Sequence, residues 1–60
     1  MSEEIIEWAR KQIQNAENEL EKADALLQRL KRAGEDVSRL EADYLEAKRR
    51  LERFKAAFKD

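Results

Sequence analysis

Residues 31–38 read Lys31-Arg32-Ala33-Gly34-Glu35-Asp36-Val37-Ser38, and the fold turns on this stretch. Gly34 is the only glycine in the chain. Before it, isoleucine, leucine and alanine recur at alternating steps of three and four residues. After it the same rhythm restarts out of register. The stretch therefore reads as a hinge that folds two amphipathic helices against each other.

Working back from the hinge, the first apolar row is Ile6, Ala9, Ile13, Ala16, Leu20, Ala23, Leu27, Leu30. This is a strict heptad, with Ile6, Ile13, Leu20 and Leu27 at a and Ala9, Ala16, Ala23 and Leu30 at d. Alanine at successive d positions lets two helix axes approach closely. Ser2 is placed as the N-cap of this helix, with Glu3 and Glu4 set favourably against the helix dipole. Lys31 and Arg32 suit its C-terminal turn, and Gly34 suits the left-handed terminator beyond it.

Working forward, the second row is Val37, Leu40, Tyr44, Ala47, Leu51, Phe54, Phe58. Asp36 is a candidate cap for this helix. Ser38-Arg39-Leu40-Glu41 also matches the capping box, which would start the helix two residues later. Lys55 and Lys59 lie near its C-terminal end. The expected fold is an all-α antiparallel two-helix hairpin in one domain over residues 1–60. Helix 1 runs from about 2 to 33, the turn is 34–35, and helix 2 runs from about 36 to 59. A single continuous helix is the competing fold; Gly34 and the capping residues argue against it.

A two-residue turn pairs Leu30 with Leu40, Ala23 with Ala47, Leu20 with Leu51, and Ala16 with Phe54, and brings Ile13 near Phe58. Charge supports the antiparallel sense. Glu3, Glu4, Glu7, Glu17, Glu19, Glu21 and Asp24 would lie beside Lys48, Arg49, Arg50, Arg53, Lys55 and Lys59.

Sixty residues bury little apolar surface, so such chains commonly gain stability from disulfides, metals or a partner subunit. With no cysteine and no histidine, disulfides and the usual transition-metal ligands drop out. Charged residues make up 45% of the chain and proline is absent, a composition of coiled coils rather than disorder once the heptads are counted. No apolar run is long enough for a bilayer, and the N-terminus lacks a secretory pattern, so the default is a soluble, cytoplasmic protein.

Catalysis finds little footing here. There is no histidine or cysteine to act as base or nucleophile, and no glycine-rich loop to cradle phosphate. Ser2 and Ser38 read as helix-start residues and Tyr44 as core. Glu17, Glu21 and Asp24 form an acidic stripe better explained as a solvated face than as a metal site. The expectation is no enzyme and no cofactor.

Binding is the remaining class. Helix 1 outruns helix 2, so Ile5, Ile6 and Trp8 are expected to extend past Phe58 with little cover, while Leu26 and Leu45 flank the heptad rows near the turn. These five are the candidate self-association residues. An antiparallel homodimer forming a four-helix bundle is the favoured assembly, with a helical protein partner as another occupant. Arg49, Arg50 and Arg53 form a basic face on helix 2, and a small nucleic-acid-binding regulator is the alternative function. The net charge of −1 and the acidic half oppose it. Membrane-surface binding through Ile5, Ile6 and Trp8 is disfavoured by Glu3, Glu4 and Glu7 around them. A designed helical protein without biological function also fits the strict heptads and absent cysteine, although Asn15, Asn18 and Trp8 look less idealised.

Overall fold

The structure is a computed structural model and describes residues 2–58. Two helices, α1 (Glu3–Arg32) and α2 (Ser38–Ala57), pack against each other in a hairpin. The molecule is a rod of 48 × 15 × 13 Å, as long as α1 itself and one helix layer thick.

Helix α1 begins as its sequence dictates. Ser2 adopts an extended conformation, and its hydroxyl accepts the Ile5 N–H at 3.3 Å. At the other end Gly34 takes φ +81°, a conformation that carries little penalty only without a Cβ. Its N–H bonds to the Lys31 carbonyl, and the Glu35 N–H reaches back to the Leu30 carbonyl, both at 3.0 Å. This pair of bonds is the Schellman closure, and it satisfies carbonyls the helix would otherwise leave open.

The turn is longer than two residues, since α2 starts at Ser38. Val37 stands at the N-cap and makes no side-chain cap; its own side chain is buried. Asp36 sits one residue outside the helix, where its carboxylate accepts both the Ser38 N–H, at 3.0 Å, and the Ser38 hydroxyl. These bonds hold its pKa below the ordinary aspartate value, the hydroxyl contributing most. The Ser38–Glu41 capping box does not form. Glu41 points instead across the hairpin to Lys31, at 2.5 Å. Burying Val37 fixes the start of α2, and the capping side chains adapt to it. Lys59, expected in the last turn, lies outside the described residues.

Every position of the first heptad row is buried or half-buried, with Ala9 fully enclosed. The second row divides. Val37, Tyr44, Leu51 and Phe58 are taken as the a positions of this row, and Leu40, Ala47 and Phe54 as its d positions. Val37 and Leu51 are buried and Tyr44 and Phe58 half-buried, so the a positions face α1. Leu40 and Ala47 are exposed and Phe54 is half-buried, so the d positions turn toward the flank. Glu41 and Lys55 are half-buried in their place. Their aliphatic stems cover the core while their charged ends reach Lys31 and Glu17.

Several expected pairs meet at shared clefts. Leu20 and Leu51 line one, Ala23 and Ala47 another together with Leu30 and Leu40, and Ile13 and Phe58 a third. Phe54 departs from expectation. It packs edge-on against Trp8, ring centroids 6.4 Å apart, and beside Phe58 at 5.1 Å. The Glu35–Leu30 bond folds the chain back along the last turn of α1 before α2 begins. Ile6, in the cleft it shares with Phe58, and Trp8, against Phe54, are not left beyond the end of α2.

Candidate interaction surface

The two broad faces of the hairpin differ in chemistry. One carries the two ion pairs that cross between the helices among the described residues, Lys31–Glu41 at 2.5 Å and Glu17–Lys55 at 3.2 Å. Lys55 also lies 3.8 Å from Glu52. Its pKa is raised by the hydrogen bond to Glu17, then by the charges of Glu52 and Glu17.

The other face is apolar at both ends. Near the turn, Ala23, Leu26 and Leu30 of α1 and Leu40, Tyr44 and Ala47 of α2 line an open groove of about 260 Å³, with the Asp43 carboxylate beside them. The two alanines make the hollow, because they leave room where longer side chains stand on either side. Leu26 is 55% exposed and Leu40 49%. Near the open end, the Trp8 ring stands on Phe54 and is 56% exposed. Trp8 and Leu26 are eighteen residues apart on one helix, which is five turns, so both project from the same side. Between them α1 presents Gln12, Asn15 and Glu19.

Of the five residues expected in self-association, Ile5, Trp8 and Leu26 share this face; Ile5 is exposed and stands one turn before Trp8. Leu45 does not join them. It falls on the stripe of Glu41, Lys48 and Glu52, at helical steps of four, three and four, on the ion-paired face. Ile6 is half-buried and lines the cleft at the open end with Ala9, Ile13 and Phe58. Leu40, Ala47 and Phe54 belong to the apolar face although sequence reasoning placed them in the core. A signal was present in Glu41 and Lys55, charged residues that each follow a d position and have opposite charges available on α1.

The basic residues of α2 are arranged less favourably for phosphate. Arg50 Nε and Arg53 Nη2 both approach Glu46 Oε1, at 3.8 and 3.9 Å. Arg49 makes no ion pair among the described residues. A carboxylate thus stands between two of the three guanidinium groups that would hold a nucleic-acid backbone. No helix is long and apolar enough to cross a membrane among the described residues. No protein-family model matches this chain, and comparison with curated proteins and with solved structures finds no match.

Proposed function

We propose that the chain is a non-catalytic, self-associating helical hairpin, two copies of which cover each other's apolar face to form a four-helix bundle. The observation that carries this reading is the divided second heptad. The a row of α2 packs on α1, while Leu40 and Ala47 of the d row are left exposed beside Leu26. A two-stranded coiled coil uses both rows inside the pair, whereas a wider apolar stripe is the pattern of helices in a bundle.

Area supports the same reading. The chain exposes 5254 Å², and a compact monomer of 7.1 kDa would expose about 4,100 Å². The excess of roughly 1,200 Å² follows from the rod shape, and it leaves ample surface for the ~800 Å² that each partner buries in a standard interface. The serines favour structure over chemistry, since Ser2 caps α1 and Ser38 is bonded to Asp36. The basic face of α2 is the weaker reading, because the Glu46 carboxylate lies 3.8 Å from Arg50 and 3.9 Å from Arg53 and repels a phosphate there.

Sedimentation equilibrium at micromolar concentration on the wild type, Leu26→Glu and Leu45→Glu tests the proposal. The wild type and Leu45→Glu are expected at twice the chain mass and Leu26→Glu at once. A monomeric wild type rejects self-association. A dimer lost with Leu45→Glu but kept with Leu26→Glu moves the interface to the opposite face.

A further inference from the structure

The apolar face has a relief as well as a composition. At one end stands a ridge, the Trp8 ring raised on Phe54. At the other lies the hollow over Ala23 and Ala47, about 260 Å³ in volume. Ridge and hollow sit on the same side of one helix pair, with the five turns from Trp8 to Leu26 setting them about 27 Å apart.

Resting on the self-association reading above, we infer that two hairpins pair head to tail, each seating its Trp8 ring in the Ala23–Ala47 groove of the other. The two-fold axis then crosses the middle of α1, which lays α1 on α1 and α2 on α2 in opposite directions. Each copy gives one ridge and receives one, so the contact is self-complementary and closes at two chains. Gln12, Asn15 and Glu19 fall around the axis, where Asn15 of one chain comes opposite Glu19 of the other and its amide can donate to that carboxylate.

The head-to-head alternative is poorer in shape. It stacks ridge on ridge and turns the two hollows toward each other, leaving unfilled space where packing should be dense. A single helix of another protein would fill the hollow without matching the ridge, and one copy of this hairpin matches both.

Two measurements on the full chain test the inference. The chain has no cysteine, so Glu35→Cys places one nitroxide label at the turn, away from the apolar face. Electron double resonance then reads the distance between the two turns. Head-to-tail pairing puts them at opposite ends, a separation comparable to the 48 Å length of the rod. Head-to-head pairing puts them within roughly 25 Å, the depth of two helix layers with label arms. In parallel, Ala47→Leu adds apolar surface yet fills the groove. It is expected to weaken the dimer about tenfold or more, as overpacking a hole does. A short distance overturns the head-to-tail sense, and a tighter Ala47→Leu dimer overturns the seating of Trp8, while self-association itself stands in both cases. No dipolar signal together with a monomeric wild type overturns self-association as well.

Discussion

Lys55 Nζ lies 3.2 Å from Glu17 Oε2, joining the middle of α1 to the last turns of α2. The other cross-helix ion pair, Lys31–Glu41, stands two heptads away on both helices. From Lys31 back to Glu17 is fourteen residues, and from Glu41 forward to Lys55 is also fourteen. The register is therefore the same at both ends of the pair, and the helices do not slip past each other between them.

Deprotonating Lys55 at high pH removes its pair with Glu17. The pKa of Lys55 is raised in the fold, first by the hydrogen bond to Glu17, then by the charges of Glu52 and Glu17. A raised lysine pKa contributes stability that is fully present below the unfolded value, about 10.4, and is lost as pH rises through the folded value. Thermal melts by circular dichroism from about pH 9 to 12 check this. The wild-type midpoint should fall across that window by more than that of Lys55→Met. Parallel curves for the two proteins would show that the pair adds nothing.

At the turn, substitution tests the left-handed conformation directly. A Cβ at Gly34 would meet nothing within 4 Å, so the loss in Gly34→Ala comes from the backbone at φ +81° and not from a clash. The expected destabilisation is about 1–2 kcal/mol. Gly34→Asn should lose less, because asparagine tolerates this region. Urea unfolding measures both, and equal losses would point to a steric cause.

The enclosed alanine on α1 carries an opposite expectation from hydrophobicity. Ala9 is 0% exposed, so Ala9→Leu should destabilise the hairpin by about 1–3 kcal/mol despite the added apolar group. Leu51→Ala, which empties the centre of α2, should cost about 2–5 kcal/mol, enough to unfold so small a chain at ambient temperature. Helicity by circular dichroism reads both variants. A stabilised Ala9→Leu would mean the helices are free to move apart there.

These residues also show what could be read in advance. The row from Ile6 to Leu30 and the role of Gly34 were legible because heptad spacing and backbone freedom are properties of the chain itself. The phase of α2 was not. Spacing places Val37, Tyr44 and Leu51 beside Leu40, Ala47 and Phe54 on one stripe, and it cannot say which edge turns inward. That choice depends on Glu41 and Lys55 laying their stems over the core to reach Lys31 and Glu17, a tertiary effect. The same rotation separated Leu26 from Leu45, two residues that look equivalent in sequence. The meeting of Trp8 with Phe54 was not legible either, because heptad spacing sets Phe54 against Ala16 and does not say where two long rings reach.

Nucleic acid offers a further check. With Glu46 set between Arg50 and Arg53, the wild type is expected to show no saturable binding to duplex DNA or RNA at moderate salt. Fluorescence titration at low and moderate salt measures it. A saturable complex that Arg49→Ala, Arg50→Ala and Arg53→Ala each weaken would make the basic face of α2 the functional surface.

In the proposed dimer the face bearing Trp8, Leu26 and Leu40 is covered by a second copy of this chain. Mixing isotope-labelled and unlabelled protein in equal amounts and recording a filtered nuclear Overhauser spectrum isolates contacts between copies. That dimer predicts cross-peaks from the Trp8 ring protons to the Leu26 and Leu40 methyl groups of the other chain. Intermolecular cross-peaks confined to Leu45, or none at all at millimolar concentration, would contradict it.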